Sequence, residues 1–365
     1  MILALITAFI QIVLTSQAIR NLKLFKRLEK STGSSSIDVS VCLPMRNEEA
    51  NAERILNSLV KELHLVREII ILDDESSDST PSILAKFVTL YPDKIRVIHG
   101  NPKPDDWRGK VWAMSQLAAQ SKGEYILFVD ADVSFDEGGL SSLLDAMSED
   151  RVDYFSIFPR QITTRSTDIL VNHIYTTLLH LLPMQFVREE KYPAAVAGCG
   201  QVQLVRKEVL VKVGGYEVIK ESLHDGLHLA RKVKSIGGKV SFAYGADSIG
   251  CMMYSSFGDA WGGFTRNAYQ ATGSFISLLI TSSIILFAFI IGPIISMGSM
   301  LPTIIVVTST IFLYGNYLRI IRSFDLSSGF IVRLPLSIAL ITLLQWTSYV
   351  RHKLGIKSVW RGRNV

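Results

Sequence analysis

The stretch Tyr125-Ile-Leu-Phe-Val-Asp-Ala-Asp-Val133 decides the fold. Its short apolar run ends in two carboxylates, Asp130 and Asp132, a pattern typical of a buried strand with a polar end. In open α/β sheets, ligands bind beyond the carboxyl ends of the strands. Carboxylates at i and i+2 can both reach one hard cation that also takes phosphate oxygens. The alternative interpretation is an Asp-rich turn.

Strand and helix patterns alternate around this stretch. The predicted strands are Val39–Leu43, Glu68–Leu72, Ile95–His99 and Tyr125–Val129, and the predicted helices between them are Ala50–Lys61, Ser79–Tyr91 and Lys110–Gln120. This alternation indicates a parallel, Rossmann-like sheet. Pro44-Met-Arg-Asn-Glu-Glu49 follows the first strand in place of G-x-G-x-x-G, which disfavours a dinucleotide oxidoreductase.

Polar clusters follow three of these strands and would line one crevice, although each cluster alone is also typical of a polar turn. Their members are Pro44, Asn47 and Glu48, then Asp74, then Asp130 and Asp132. Asp74 could accept from a base N–H, and Glu48 from a base or a ribose. Asp130 and Asp132 would hold a diphosphate through a divalent cation. The clusters therefore predict a nucleotide site.

Apolar residues are concentrated at the two ends of the chain. Hydrophobic residues make up 48% of the 365 residues, and the mean hydropathy is +0.29. Four segments are near membrane-spanning length: Met1–Ile19, Phe275–Met297, Thr303–Ile321 and Phe330–Val350. These features predict a membrane protein with a soluble middle.

The net charge of +5 comes from basic residues beside the apolar segments, which favours contact with anionic lipid and disfavours nucleic acid as a partner. Because the charges follow the first apolar segment, a retained anchor with a cytoplasmic C-terminal end is favoured over a cleaved signal peptide. With that orientation, three further crossings would leave the basic tail outside the cell, against the tendency of basic segments to stay in the cytoplasm. The region 275–350 is therefore predicted to hold two to three helices.

The predicted organisation has six parts. They are an anchor (1–19), a basic juxtamembrane segment and linker (20–36), a soluble domain (37–245), a membrane-interface segment (246–274), a transmembrane region (275–350) and a basic tail (351–365). Within the soluble part, the apolar stretch Ile169–Phe186 predicts either an interfacial helix or an ordinary core helix.

Several ordered motifs resemble those of family 2 glycosyltransferases with the GT-A fold. They are Val41–Glu49, Ile71–Thr80, Phe128–Asp132, Gly198–Lys207, Gly214–Tyr216 and Leu223–Lys232, and the resemblance spans roughly 38–244. It implies a GT-A Rossmann-like mixed α/β sheet flanked by helices, with transmembrane helices at both ends. It also implies Mg²⁺ or Mn²⁺ at Asp130 and Asp132, and a nucleotide-sugar donor that we expect to be a UDP-sugar.

Trp107-Arg-Gly-Lys-Val-Trp-Ala113 narrows the resemblance. It is similar to a segment of membrane-bound members associated with hopanoid and carotenoid glycosylation, and more distantly of ceramide glucosyltransferases. Lys110 stands at a predicted helix N-terminus, where it would either meet phosphate oxygens or be solvated. Trp107 and Trp112 are interpreted as packing residues.

Asp225 occupies the position of the family's general base, within Leu223-His-Asp-Gly226. The resemblance implies that it deprotonates an acceptor hydroxyl, which attacks the sugar opposite the leaving diphosphate and inverts the configuration. The alternative is that Asp225 caps the helix. Around Trp261 and Arg266 the family's Q/R-x-x-R-W motif is not intact, which disfavours a processive polymer synthase.

Together these features predict an inverting glycosyltransferase that is integral to the cell membrane, with its catalytic domain in the cytoplasm. The expected acceptor is a membrane lipid hydroxyl, on a carotenoid, a hopanoid or other isoprenoid, a sphingolipid-like lipid or diacylglycerol. Two alternatives stay open. One is a transferase that glycosylates polyprenyl phosphate, and the other is a non-catalytic membrane scaffold with a relict domain.

Overall fold

The secondary structure follows the predicted alternation. A computed structural model describes residues 1–31, 37–187, 189, 192, 195–356, 359–360 and 363–364. The described helices are α1 (Ile2–Leu24), α2 (Ala52–Val60), α3 (Thr80–Leu90), α4 (Gly109–Gln120), α5 (Gly139–Asp150), α6 (Asp168–Val171), α7 (His173–His180), α8 (Lys207–Lys212), α9 (Asp225–Ser235), α10 (Phe257–Thr272), α11 (Phe275–Leu286), α12 (Gly292–Ile295), α13 (Met300–Ser323) and α14 (Phe330–Lys353).

The strand predictions are confirmed, two of them with identical bounds. The described strands are β1 (Lys26–Arg27), β2 (Val39–Met45), β3 (Glu68–Asp73), β4 (Ile95–His99), β5 (Tyr125–Val129), β6 (Val133–Phe135), β7 (Tyr154–Phe158), β8 (Arg160–Gln161), β9 (Val202–Arg206), β10 (Val240–Tyr244), β11 (Ile249–Cys251), β12 (Val359–Trp360) and β13 (Arg363–Asn364). The predicted linker after Ser31, and Lys357 and Arg361 of the predicted basic tail, lie outside the described residues.

The chain divides into two compact units. The sheet unit comprises Phe25–Ile162, Met184–Met253 and Val359–Val365, and the helical unit comprises Met1–Leu24, Thr163–Pro183 and Tyr254–Ser358.

The sheet unit contains an eight-stranded mixed sheet in the order β1-β10-β7-β9-β5-β2-β3-β4. Strand β9 is antiparallel to both β5 and β7, whereas the other neighbours are parallel. The expectation of a mixed sheet is therefore confirmed. Met45 pairs with Asp73 at the carboxyl ends of β2 and β3, so the polar segments that follow these two strands start side by side.

Both faces of the sheet are buried because neighbouring residues of a strand point to opposite sides. In β2, Val41 and Leu43 contribute to one apolar cluster, while Cys42 contributes to the cluster on the other face. Strand β5 behaves in the same way, with Leu127 on the first side and Phe128 on the second. Continuous apolar runs are expected for strands covered on two faces.

The helical unit contains helices that are long and apolar enough to cross a membrane. Four such helices occur among the described residues: Ile2–Leu24, Phe275–Ile295, Met300–Ser323 and Phe330–Lys353. The second contains a π-helical turn at Phe287–Ile291, immediately before Gly292 and Pro293. Proline lacks the amide hydrogen that continues an α-helix, which accounts for the irregularity at this point.

Polar side chains connect helices of this unit. Gln11 of α1 donates through Nε2 to Ala288 O at 2.8 Å and to Thr310 Oγ1 at 2.9 Å. Arg333 of α14 forms two hydrogen bonds of 2.6 Å to the buried carboxylate of Asp168. Arg333 therefore forms an ion pair within the helical unit.

The apolar stretch Ile169–Phe186 does not form one helix. It is divided between α6, α7 and a 3₁₀ turn at Met184–Phe186, with Pro183 between the last two. Tyr175 and Leu179 of α7 are buried, and Leu179 O accepts from Asn21 Nδ2 of α1 at 2.8 Å. One side of α7 is thus buried against α1, within the helical unit.

Candidate active site

The segments after β2 and β3 interlock through hydrogen bonds. Asn47 has a φ of 52°, a left-handed conformation that Asn tolerates better than most residues. Its Oδ1 accepts from Ser77 N at 2.8 Å, and its own N–H donates to Ser76 Oγ at 3.0 Å. Pro44 lies within β2, opposite Leu72. Asn47 and Pro44 thus shape the edge of the predicted nucleotide crevice.

Glu48 and Asp74 both lie at this edge and are buried, with 8% and 6% of their surface exposed. The N–H of Glu48 donates to Thr80 Oγ1 at 2.8 Å, and that of Asp74 donates to Met45 O at 2.8 Å. Asn51 Nδ2 donates to Glu48 Oε2 at 2.8 Å. The amide of Asn51 therefore holds the carboxylate of Glu48, and backbone hydrogen bonds fix the positions of both residues.

A second hydrogen-bond path joins this edge to the end of β5. Arg54 Nη2 donates to Asn51 Oδ1 at 3.1 Å and to Asp132 O at 2.8 Å. Because Asn51 also binds Glu48, the clusters that follow β2 and β5 are linked through two side chains. The sequence placed these clusters in one crevice, and this path supports that arrangement.

Lys110, in the first turn of α4, connects the end of β5 with the start of α9. Its Nζ lies 2.7 Å from Asp130 Oδ1 and 3.4 Å from Asp225 Oδ2, and it donates to Gly200 O at 2.9 Å. Burial disfavours the ammonium charge, but the carboxylates of Asp130 and Asp225 outweigh burial and raise the pKa of Lys110. Lys110 is therefore a charged, ion-paired group, and the solvated interpretation is wrong.

Asp130 and Asp132 lie in an electrostatically unfavourable environment. Desolvation raises the pKa of Asp130 despite the opposing charge of Lys110. Desolvation, together with the nearby carboxylates of Asp130 and Glu48, raises the pKa of Asp132 to about 7. A cation beside these carboxylates would relieve the repulsion between them.

The donor set at this point fits a hard divalent cation. Asp132 Oδ1 is buried and has no hydrogen-bond partner among the described residues. Across the same residues, no group of three or more His, Cys, Asp or Glu side chains is arranged to hold a metal ion alone. Mg²⁺ is usually bound by one or two carboxylates together with substrate phosphates, so Asp130 and Asp132 suit an ion that arrives with a phosphorylated substrate.

Asp225 is the first residue of α9, and the N-cap is His224. Its Oδ2 accepts from Gln203 Nε2 at 2.6 Å and lies 3.4 Å from Lys110 Nζ. The interpretation of Asp225 as the N-cap is therefore wrong. Instead, the ammonium group of Lys110 holds this carboxylate beside that of Asp130.

The segment Gly198-Cys-Gly200 lies directly against the start of α9. A Cβ on Gly198 would lie 2.4 Å from Gly226 O, and one on Gly200 would lie 2.7 Å from Asp225 Oδ1. Side chains are therefore excluded at both positions. Neither glycine was a predicted site residue, although both lie in a motif that carried the resemblance, and that motif was the available signal.

Trp107 and Trp112 pack against each other. Their ring centroids lie 5.0 Å apart in an edge-to-face arrangement, and Trp107 belongs to the apolar cluster on one face of the sheet. Trp112 Nε1 donates to Asn101 O at 2.9 Å. These contacts agree with the prediction that both are packing residues.

The chain is similar in sequence to known glycosyltransferases. A family model described as glycosyl transferase family 2 matches residues 40–214. The chain is 22% identical over 230 residues to a 4,4'-diaponeurosporenoate glycosyltransferase of Staphylococcus haemolyticus, covering 62% of this chain and 60% of that protein. It is 25% identical over 211 residues to a β-monoglucosyldiacylglycerol synthase of Trichormus variabilis, covering 56% of this chain and 42% of that protein. The chain thus spans less than two thirds of the length of these relatives.

A solved structure shares the fold. A mannosyltransferase from Pyrobaculum calidifontis, in complex with GDP-Man and Mn²⁺, superposes with a TM-score of 0.57 at 14% identity. The superposition covers 97% of this chain and 99% of that chain.

Proposed function

We propose that the chain is an inverting glycosyltransferase, because the model of glycosyl transferase family 2 matches residues 40–214 and the chain shares its fold with a solved mannosyltransferase. It moves a sugar from a nucleotide-sugar, with a UDP-sugar as the expected donor, to a hydroxyl group of a membrane lipid. One observation carries this proposal: the ammonium group of Lys110 lies between two carboxylates. It is 2.7 Å from Asp130, of the candidate metal pair, and 3.4 Å from Asp225, the candidate base.

The donor is assigned to the crevice at the ends of β2, β3 and β5. Glu48 and Asp74 are acceptors for the base and ribose, and Lys110 supplies a positive charge for diphosphate oxygens. Asp130 and Asp132 would hold Mg²⁺ or Mn²⁺, which when bound neutralises charge on the leaving diphosphate. The unpartnered Oδ1 of Asp132 supports this assignment.

The acceptor hydroxyl is assigned to Asp225. A hydroxyl becomes a strong nucleophile only as it loses its proton, so a fixed carboxylate beside it accelerates the attack. Gln203 and Lys110 both contact Oδ2 of Asp225, and this arrangement fixes the direction of the carboxylate. Attack on the face opposite the diphosphate then inverts the anomeric configuration.

A lipid acceptor is supported by two independent features. The relatives named above include a diaponeurosporenoate glycosyltransferase and a monoglucosyldiacylglycerol synthase, whose acceptors are lipids by name. The chain also has helices of membrane-spanning length before residue 25 and after residue 274 in the sequence. We place the protein in the cell membrane with its sheet unit in the cytoplasm, since basic residues follow the first apolar segment.

The experiment that tests the function supplies membranes containing the full chain with a panel of radiolabelled nucleotide-sugars and then extracts the lipids. We expect one donor to yield a labelled lipid, and EDTA to abolish the label. Donor binding without any labelled lipid would overturn the lipid acceptor. The absence of donor binding would favour the alternative in which the chain is a non-catalytic membrane scaffold.

Gly200→Ala is expected to lower turnover by about 100-fold, because a Cβ 2.7 Å from Asp225 Oδ1 must displace the carboxylate. The measurement is the initial rate of lipid labelling at saturating donor. Gly262→Ala is the matched control, since a Cβ there has nothing within 4 Å, and we expect it to keep wild-type activity. Equal rates for the two variants would show that the segment Gly198–Gly200 does not fix Asp225.

A further inference from the structure

A buried chain of hydrogen bonds ends on the carboxylate of Asp225. Gln203 Nε2 donates to Asp225 Oδ2 at 2.6 Å, and Tyr154 OH donates to Gln203 Oε1 at 3.1 Å. Tyr154 and Gln203 have no exposed surface, and Asp225 is 6% exposed. Buried polar groups destabilise a fold unless they are paired, so each member of this chain constrains the orientation of the next.

The chemistry of the three groups fixes the orientation of the Gln203 amide. An ionised carboxylate only accepts hydrogen bonds, so the amide nitrogen must face Asp225. The amide oxygen then faces Tyr154, whose hydroxyl is able to donate. Tyr154 OH also lies 3.0 Å from Gly226 O, in the residue after Asp225, so one hydroxyl ties the amide to the first turn of α9.

Both supporting side chains come from paired strands of the sheet. Tyr154 lies on β7 and Gln203 on β9, and these strands pair with Ser156 opposite Gln203. Gln203 Nε2 also donates to Gly200 O at 3.1 Å, and that same oxygen accepts from Lys110 Nζ at 2.9 Å. Side chains held on strands maintain a more fixed geometry than those on loops.

We propose that Gln203 is a positioning residue for Asp225 and that Tyr154 fixes the amide that performs this role. The inference rests on the proposed function, in which Asp225 is the general base. Gln203 and Lys110 both occupy Oδ2 of Asp225, while Oδ1 has no hydrogen-bond donor among the described residues. By binding Oδ2, Gln203 restricts rotation of the carboxylate, whose Oδ1 lies close to Gly200, and so sets the orientation in which Asp225 meets the acceptor hydroxyl.

The test measures kcat and donor KM for lipid labelling by the full chain in membranes. Gln203→Leu removes the donor to Asp225, and we expect kcat to fall by about 10- to 100-fold with donor KM within about twofold. Tyr154→Phe deletes only a hydroxyl and keeps the buried ring, so a smaller fall of about threefold to tenfold is expected. Tyr216→Phe is the control, because the buried Tyr216 hydroxyl has no partner among the described residues.

A double-mutant cycle separates positioning from general support of the fold. If Gln203 acts through Asp225, Gln203→Leu has no further effect on the residual rate of Asp225→Asn. An additive loss, or a wild-type kcat in Gln203→Leu, would overturn the inference and leave the proposed function intact. A wild-type chain that labels no lipid with any donor would overturn both.

Discussion

Asp225→Asn is expected to lower the turnover of lipid glycosylation by about 1000-fold, because the variant removes the proton acceptor and retains its shape. An amide oxygen in the place of Oδ2 still accepts from Gln203, 2.6 Å away, and from Lys110, 3.4 Å away. The fold and the donor site should therefore be preserved. The measurement compares kcat and the donor KM of the variant with those of the wild type.

The matched control for this prediction is Asp93→Asn, which changes an exposed carboxylate after α3 in the same way. We expect this control to keep wild-type turnover. If Asp225→Asn retained substantial turnover, the general-base role would be wrong. That outcome would favour a polyprenyl-phosphate acceptor, since a phosphate oxygen at neutral pH carries no proton that a strong base must remove.

Several of the site residues could be identified from the sequence because they directly follow a periodic element. Asp130 and Asp132 follow the five-residue strand β5, whose bounds were predicted correctly. An apolar run that ends sharply in polar residues predicts both the strand and the residue at which the strand ends. The crevice follows from the rule that parallel strands place their carboxyl ends at one edge of the sheet.

The residues that were missed depend on contacts between distant parts of the chain. Gln203 and Tyr154 lie on β9 and β7, and β9 is the antiparallel strand inserted between β5 and β7. Periodicity predicts that a strand exists but not which strand lies beside it. The contact between Gln203 and Asp225 therefore follows from the pairing of strands, which the local pattern does not contain.

The role of Lys110 illustrates the same limit. Its position at a helix N-terminus indicated an anion partner, but that pattern does not distinguish a substrate phosphate from a carboxylate of the protein. The structure places two carboxylates around its ammonium. A basic residue selected by its position in a helix can thus have its partners about 20 and 115 residues away in the chain.

Asp132→Asn is expected to change metal-dependent binding and intrinsic stability in opposite directions. Desolvation and neighbouring carboxylates raise the pKa of Asp132 to about 7. An acid whose folded-state pKa is raised destabilises the fold increasingly as the pH rises from its unfolded-state pKa to its folded-state pKa, so the full penalty applies at pH 8. Removing the charge should therefore stabilise the metal-free protein at pH 8 by about 1 kcal/mol, even after allowance for partial solvent screening.

The same substitution should abolish the stabilisation that Mn²⁺ and UDP together give, because a neutral amide is a poor ligand for a hard cation. The measurement is thermal unfolding in detergent at pH 8, with EDTA or with Mn²⁺ and UDP. The wild type should melt below Asp132→Asn in EDTA and above it with Mn²⁺ and UDP.

Asp136→Asn is the matched control for this crossover, the reversal in which of the two proteins melts at the higher temperature. Its carboxylate is 55% exposed and lies 3.5 Å from Arg160, and exposed pairs of this kind contribute little to stability. We therefore expect Asp136→Asn to follow the wild type under both conditions.

If Asp132→Asn gained stability from Mn²⁺ and UDP as the wild type does, Asp132 would not be a metal ligand. If Asp132→Asn melted below the wild type in EDTA, repulsion among the carboxylates would not be the dominant force at this site. The crossover thus separates the cost of holding a carboxylate in this crevice from the binding that the carboxylate makes possible, because only a cation ligand reverses its effect on stability when the ion arrives.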